Sequence, residues 1–297
     1  MFSRHLYSVS LAHGGVLHLG ERPLVMGVLN VTPDSFAELM PRLHPAAAVD
    51  AALRMEADGA DLIDIGGEST RPGAEPVTAD VELARLLPVF KALHGRLSVP
   101  ISVDTSKAEV ARTAVAAGAG MVNDVTGLRN DPALAGVVAE TGAALVLMHT
   151  RGSAKSMDVE AVYGDLMAEV ADELRASIRL ATTAGVAATQ IIVDPGVGFA
   201  KQASHSYGVL ARLPELAHAL ERPVLVGPSR KSFMKNAVGG RPAPERDWGT
   251  AAAVTAAVLA GAHIVRVHAV AEMAQVVRVA EEIRRAGLNE VRTRNKP

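Results

Sequence analysis

Short apolar runs that end in a polar residue alternate along the chain with stretches of helical periodicity, and this alternation occurs eight times. The apolar runs lie at residues 23–30, 61–67, 99–105, 121–127, 143–150, 190–196, 223–230 and 263–270. Each run is almost continuously apolar, as expected of parallel strands that are covered on both faces. Eight such strand–helix units predict an α/β fold, an eight-stranded parallel (β/α)8 TIM barrel.

The stretches between the apolar runs are long enough for the crossover helices that parallel strands need. In the second of them, Leu83, Leu86 and Phe90 fall on one helical face, whereas Glu82 and Arg85 fall off it. Helices are predicted over residues 46–58, 81–93, 108–117, 132–141, 162–183, 206–219, 248–260 and 271–286.

The first twenty residues predict a β-hairpin over about 6–19, with Gly14 and Gly15 as its turn. Such a hairpin could plug the bottom of the barrel, and the alternative is a frayed tail. Residues 289–297 form a polar C-terminal tail. We see no linker, so residues 1–297 are expected to form a single barrel domain.

The composition excludes several classes of function. The chain has 297 residues, 49% of them hydrophobic, which suffices for one large core. A net charge of −2 provides no basic field for nucleic acid. No run approaches the roughly 18 apolar residues of a membrane span, and the start lacks the apolar core of a secretory signal. The absence of cysteine excludes thiolate chemistry and disulfides. A cytoplasmic protein is expected.

Polar residues gather where the predicted strands end, which is the face of a barrel that carries the active site. The loops at 32–45, 69–79 and 151–159 follow strand ends and are longer than connection requires, which is typical of functional loops. In the last loop, Lys155 and Met157 are expected to face solvent. The strand-end residues are Asn30, Glu68, Asp104, Asn123, Met148, His149, Asp194, Lys231, Arg266 and His268.

Asp104, Asn123 and Asp194 follow three different strands and should point toward one axis. Such a set can accept hydrogen bonds from a planar ligand rich in N–H groups, and it also suits Mg2+. The alternative for Asp104, Asn123 and the adjacent Asp124 is helix capping. For Asp194, which precedes Pro195 and Gly196, the alternative is a turn.

Arg266 and His268 alternate on the last strand, so both side chains take the same face. An inward Arg–His pair at the rim suits an anion, and barrels commonly bind phosphate after strands seven and eight. The alternative is a buried salt bridge. Lys231 lies where barrel enzymes carry catalytic groups. From the residue chemistry alone, we expect a barrel enzyme that acts on a polar planar ligand with an anionic group.

Several longer motifs resemble the dihydropteroate synthase family, and they occur in order between about residues 23 and 285. This family joins 6-hydroxymethyl-7,8-dihydropterin diphosphate to 4-aminobenzoate, releases pyrophosphate and forms 7,8-dihydropteroate. The motifs are MGVLNVTPDSF (26–36), GGESTRPG (66–73), VDT (103–105), VNDV (122–125), MHTRG (148–152), DPGVGFAK (194–201), SRKSF (229–233) and RVH (266–268).

The resemblance implies a role for each matching residue. The residues implied to bind the pterin are Asp104, Asn123, Asp194, Lys231, Met148 and Phe199. Those implied to hold the diphosphate are Asn30, Arg266 and His268, with Mg2+ on Asn30 and with Asp34 ordering the first loop and the metal. Those implied to bind 4-aminobenzoate are Thr70, Arg71, Pro72, Phe36 and Ser232. The catalytic residues are then Lys231, Asp194, Arg266, His268 and Arg71. A homodimer is also implied.

The chain departs from the family in two places. Residues 37–40 read AELM where the family usually has Ser-Asp-Gly-Gly, and Ala269 replaces an aspartate. Two alternatives to synthase activity stay open. One is a methyltetrahydrofolate:corrinoid methyltransferase, which would share the pterin-binding set. The other is a pterin-binding paralogue that has lost catalysis, and the two departures keep this alternative open.

Overall fold

The computed structural model describes residues 4–32, 45–69, 73–153, 155–157 and 159–294. An antiparallel hairpin of β1 (Tyr7–Ser10) and β2 (Val16–Leu19) precedes the parallel strands. These are β3 (Leu24–Asn30), β4 (Leu62–Gly66), β5 (Ile101–Asp104), β6 (Met121–Asp124), β7 (Ala144–Met148), β8 (Ile191–Asp194), β9 (Leu225–Val226) and β10 (Ile264–Val267).

The eight parallel strands pair in the order β8-β7-β6-β5-β4-β3-β10-β9. A parallel bridge between Val193 and Val224 joins the two ends of this sheet and completes the barrel. The predicted barrel is therefore confirmed. Strand β9 is shorter than the predicted run 223–230, which contains Gly227 and Pro228; proline has no N–H to donate to a strand ladder.

Helices surround the barrel and cover its outer face. They are α1 (Pro45–Ala57), α2 (Ala79–Leu93), α3 (Ala108–Ala116), α4 (Ala133–Thr141), α5 (Leu166–Thr183), α6 (Ala203–Ala211), α7 (Leu213–Leu220), α8 (Asp247–Leu259) and α9 (Val270–Arg294). The outward-facing strand residues, such as Ile63, Val103, Val122 and Val193, are fully buried beneath these helices. Among the described residues, no helix combines the length and apolarity that crossing a bilayer requires.

Three helix predictions need correction. The predicted helix 206–219 is two helices, α6 and α7, because Pro214 stands in the first turn of α7 and proline cannot continue a helix that has already begun. The predicted helix 162–183 begins only at Leu166, where Asp165 accepts hydrogen bonds from the first-turn N–H groups. Helix α9 continues to Arg294, so most of the predicted tail is helical.

Helical periodicity predicts that Glu82 lies off the apolar face of α2, and this prediction is wrong. Its side chain is fully buried, and its Oε2 lies 2.6 Å from Lys107 Nζ. Lys107 Nζ also lies 2.5 Å from Glu68 Oε2. The buried carboxylate is thus paired with a cation from the loop before α3, which the sequence pattern of α2 alone does not reveal.

The hairpin plugs the bottom of the barrel, as one of the two sequence interpretations expects. Val9, Leu11, Leu17 and Leu19 are buried in one cluster with the lower inward-facing strand residues. Its turn is longer than Gly14–Gly15, since a short 3-10 helix at Ala12–Gly14 intervenes. The strand residues of this cluster are Leu24, Met26, Leu62, Met121, Ala144, Val146, Ile192, Leu225 and Ile264.

Ala269 immediately precedes α9, and its carbonyl accepts the N–H of Met273 at 3.0 Å, as an N-cap residue does. Alanine offers no side-chain acceptor to the first-turn N–H groups. We expect Ala269→Asp to raise the free energy of unfolding by about 1 kcal/mol, measured by urea denaturation. Ala269→Ser should act in the same direction without adding charge. Unchanged stability in both variants would contradict this role for position 269.

Candidate active site

Above the apolar plug, the inward-facing side of the barrel becomes polar. On each of four strands, a polar residue stands two positions after a buried apolar residue of the plug, and alternation along a strand keeps both on the same face. Asp104 takes the same inward layer, because it pairs in register with Asn123. The four pairs are Leu62 and Asp64, Met121 and Asn123, Ile192 and Asp194, and Ile264 and Arg266.

A buried ionic network joins these polar residues. Arg266 Nε donates to Asp64 Oδ2 at 2.6 Å, and its Nη2 donates to Asp104 Oδ2 at 2.7 Å. Asn123 Nδ2 donates to the same Asp64 oxygen at 2.9 Å. The buried salt bridge considered for Arg266 is therefore present. Asp64 is a site residue that the strand-end pattern misses, although a carboxylate at an inward position between Ile63 and Ile65 is a signal.

Burial changes the proton affinities of the site. Desolvation, opposed by the charge of Arg266 and reinforced by the neighbouring Asp64, raises the pKa of Asp104 to about 7. Desolvation also raises the pKa of Asp194, which Lys231 and the Gly196 N–H oppose. Conversely, burial lowers the pKa of Lys231 to about 8. Asp104 can thus gain or lose a proton near neutral pH. It can therefore donate or accept a hydrogen bond, according to what the group facing it requires.

Lys231 and Phe199 form one wall of the space next to Asp194. Lys231 Nζ donates to the Val197 carbonyl at 2.6 Å and lies 4.2 Å from the centre of the Phe199 ring. Gly198, at φ +79°, allows this approach, because a Cβ there would lie 2.8 Å from Lys231 Cδ. Met148 pairs in register with Asp194 and is buried. The sequence-predicted pterin residues are therefore brought together.

His268 directly follows β10 and Asn30 ends the neighbouring strand β3, so both lie at the rim. The His268 ring Nδ1 lies 2.9 Å from Ser229 Oγ, and its backbone N–H donates to the same hydroxyl at 3.2 Å. Asn30 ends β3, is half-buried and pairs in register with Gly66. Ser232 begins a short 3-10 helix after β9 and is exposed. Ser229 is a further polar group at the rim, and the sequence pattern alone assigns it no role.

Neither Asn123 nor its neighbour Asp124 caps a helix, because α4 begins only at Ala133 with Pro132 as its N-cap residue. Asp124 faces away from the barrel axis, and its carboxylate accepts the N–H groups of Thr126 at 2.8 Å and Leu128 at 2.6 Å. Asn123 faces inward. In the fifth loop, Lys155 is exposed as expected, whereas Met157 is buried, so the expectation is wrong for Met157.

Part of the implied site lies outside the described residues. This holds for the residues implied to bind 4-aminobenzoate other than Ser232, for Asp34 and for the altered segment 37–40. The flanks of the second loop are described: Glu68 Oε1 accepts the Val77 N–H at 3.0 Å. The implied residues outside the described ranges are Phe36, Thr70, Arg71 and Pro72.

Comparison with known proteins agrees with the sequence motifs. Residues 26–268 match the family described as pterin binding enzyme. Dihydropteroate synthase of Synechocystis sp. is 47% identical over 264 residues, covering 89% of this chain and 91% of the relative. The Escherichia coli dihydropteroate synthase is 44% identical over 270 residues, covering 91% and 94%.

Among solved structures, Burkholderia cenocepacia dihydropteroate synthase complexed with 7,8-dihydropteroate superposes with a TM-score of 0.84 at 42% identity, covering 96% of this chain and 99% of that one. The Yersinia pestis dihydropteroate synthase with a sulfonamide drug complex gives a TM-score of 0.87 at 42% identity, covering 93% and 99%. This chain belongs to the dihydropteroate synthase family of pterin-binding enzymes.

Proposed function

We propose that this chain condenses 6-hydroxymethyl-7,8-dihydropterin diphosphate with 4-aminobenzoate, giving 7,8-dihydropteroate and pyrophosphate, as a step of folate biosynthesis. The observation that carries this proposal is the buried layer of Asp104, Asn123 and Asp194 beside Lys231. It offers acceptors for the N–H groups of a pterin ring at the closed end of an open-topped barrel. Family membership supports the same activity.

The reaction breaks the bond between the pterin methylene carbon and a diphosphate oxygen, while the arylamine nitrogen bonds to that carbon and loses a proton. A neutral arylamine is already nucleophilic, so positioning and stabilisation of the leaving group supply the rate. Arg266 uses Nε and Nη2 for Asp64 and Asp104. Its Nη1 makes no hydrogen bond to the described residues and can serve the diphosphate, together with His268.

Mg2+ fits this site only together with the substrate. Among the described residues, no three His, Asp or Glu side chains are placed to hold a metal ion. Asn30 offers one hard oxygen at the rim, and Mg2+ commonly binds through few protein ligands plus substrate phosphates. When bound, the ion would neutralise charge on the leaving diphosphate.

We expect activity to require Mg2+, and pyrophosphate to bind more tightly in its presence, because the anion supplies most of the ligands. Isothermal titration of pyrophosphate with Mg2+ and with EDTA measures the second effect without turnover. Asn30→Ala should reduce the difference between the two titrations. Full activity in EDTA without added metal would contradict the requirement.

Sulfonamides resemble 4-aminobenzoate, and the residues implied to bind it match the family at Phe36, Thr70, Arg71, Pro72 and Ser232. We expect sulfamethoxazole to compete with 4-aminobenzoate. It should bind more tightly when pyrophosphate and pterin are present, because these ligands help to complete the 4-aminobenzoate subsite, and the drug should strengthen their binding by the same factor. Inhibition measured at several 4-aminobenzoate concentrations checks this. Normal synthase activity with drug resistance would show that the altered segment 37–40 distinguishes the two ligands.

A cytoplasmic homodimer is part of the proposal. Trp248 is 89% exposed at the start of α8, and Val279 and Ile283 are exposed on α9, which packs beside α8. These apolar side chains are candidates for burial between two copies. Light scattering of the purified protein and of a Trp248→Ser variant measures the oligomeric state.

A coupled pyrophosphate-release assay with both substrates tests the proposed function. Release that depends on 4-aminobenzoate supports the synthase. Methyl transfer from methyltetrahydrofolate to a corrinoid protein, without such release, would support the methyltransferase. Pterin binding without either reaction would identify a paralogue that has lost catalysis.

A further inference from the structure

Lys201 is a buried amine that the proposed reaction does not use. It is only 7% exposed, and among the described residues no carboxylate oxygen lies within ion-pair distance of its Nζ. Instead, Nζ lies 2.7 Å from His149 Nδ1 and donates to the Phe199 carbonyl at 3.2 Å. Burying an amine without a counter-charge is costly, and desolvation lowers the pKa of Lys201 to about 7. Such a residue requires an explanation.

The direction of the Lys201–His149 hydrogen bond follows from the other side of the imidazole. His149 Nε2 lies 3.3 Å from Glu173 Oε2 without forming a well-aligned hydrogen bond, and the nearby carboxylate favours the tautomer with the ring proton on Nε2. Burial lowers the pKa of His149 to about 4, so the ring is neutral. Its Nδ1 therefore accepts from Lys201. A neutral lysine still has two N–H groups, enough for both His149 and Phe199.

These contacts connect two loops at the rim. His149 follows β7 and Phe199 follows β8, so Lys201 ties one loop to the other. The backbone between Phe199 and Lys201 is strained, because Ala200 adopts φ +44°, which non-glycine residues avoid. The Tyr163 hydroxyl, from the β7–α5 loop, donates to the Ala200 carbonyl at 2.8 Å. Two hydrogen bonds thus hold an unfavourable turn.

The strained turn follows Phe199 directly and contributes to the position of its ring, together with the hydrogen bond from the Phe199 N–H to the Gly196 carbonyl at 3.0 Å. That ring faces Lys231 Nζ at 4.2 Å, and Lys231 in turn donates to the Val197 carbonyl in the same loop. Without the two hydrogen bonds, we expect Ala200 to relax toward ordinary backbone angles and the Phe199 ring to shift. The space beside Asp194 would then lose part of the wall that Lys231 and Phe199 form.

We propose that Lys201 is a positioning residue for the pterin subsite and acts, together with Tyr163, by fixing the turn that presents Phe199 to Lys231. The identity of the ligand rests on the proposed function, whereas the positioning rests on the contacts above. The consequence is selective. Pterin binding should depend on Lys201, and the 4-aminobenzoate step, which uses other loops, should not.

The test compares Lys201→Met, which keeps the apolar stem and removes the donors, with Tyr163→Phe, which removes only the hydroxyl. Lys91→Met, at an exposed position on α2, is the matched control. Calorimetry measures the affinity for the bare pterin, and steady-state kinetics give the two KM values. We expect Lys201→Met to weaken pterin binding about tenfold and Tyr163→Phe about threefold. The KM for 4-aminobenzoate at saturating pterin diphosphate should change less than twofold, and the control should match wild type.

Wild-type pterin affinity in Lys201→Met would overturn the proposal. So would equal losses for both substrates, which indicate a general structural role. If Lys201→Met does not fold, Tyr163→Phe provides the test. Unchanged pterin affinity in Tyr163→Phe would then overturn the proposal. A wild-type protein that binds pterin but releases no pyrophosphate would refute the proposed synthase activity and leave this binding test intact.

Discussion

Replacing Asp194 with asparagine is expected to remove nearly all turnover and to weaken pterin binding by about tenfold to a hundredfold, the value of a charge-assisted hydrogen bond. Asp194 Oδ1 already accepts the Gly196 N–H at 2.7 Å, so Oδ2 is left for the ligand. In the variant, the amide oxygen must keep the Gly196 contact, and the amide NH2 then faces the N–H donors of the pterin. Two donors would oppose each other.

Calorimetry with the bare pterin and the pyrophosphate-release assay measure the two effects of Asp194→Asn. Asp50→Asn is the control, because Asp50 is exposed on α1. Wild-type pterin affinity in Asp194→Asn would reject Asp194 as a pterin ligand.

Replacing Arg266 with alanine should destabilise the protein by about 3–5 kcal/mol near pH 8, because two buried carboxylates lose their cation. The loss should shrink at pH 5.5. The folded-state pKa of Asp104 is already raised to about 7 with Arg266 present, above an unfolded value of about 3.9. A carboxyl whose pKa is raised by folding contributes to the free energy of unfolding at low pH. That contribution is lost as the pH rises through the folded-state pKa. Removing Arg266 raises that value further.

Urea denaturation at pH 5.5 and pH 8 measures the change in the free energy of unfolding. Arg266→Lys keeps a cation and should lose less stability than Arg266→Ala. A loss that does not vary with pH would contradict the role of the carboxylates. Ligand binding separates a second role: Arg266→Ala should weaken binding of the pterin diphosphate far more than binding of the bare pterin. Equal losses would mean that Arg266 supports the fold or the pterin ring.

Strand periodicity predicts the barrel and the inward direction of Asp104, Asn123, Asp194 and Arg266, because alternation along a strand is a local property. It does not single out Asp64, since the polar strand ends mark the rim whereas this residue lies inside β4. Helical periodicity likewise fails for Glu82. The partner of Glu82, Lys107, comes from a loop 25 residues away, and local periodicity carries no information about such a contact.

Interactions between loops are the least predictable part of the site. Lys201 stands in one of the family motifs, yet its contact with His149 spans 52 residues, with helix α5 and strand β8 between them. A polar loop suggests that Met157 faces solvent, but burial of one side chain in such a loop depends on the neighbouring elements. The sequence does not decide whether Arg266 pairs with buried carboxylates such as Asp64 and Asp104 or binds an anion, because an inward arginine suits both.

Early and late parts of the described chain meet, and this has a consequence for folding. Strand β3 pairs with β10, and Arg4, just before the hairpin, forms an ion pair with Glu281 on α9, 277 positions later. A barrel made of such distant contacts has a high contact order, and chains of this kind close slowly. The hairpin precedes every strand of the barrel, and the floor that it covers is complete only when β10 has paired with β3. Until then the apolar faces of β1 and β2 have only part of their partner surface, so we expect the partly folded chain to expose apolar area that the finished barrel buries.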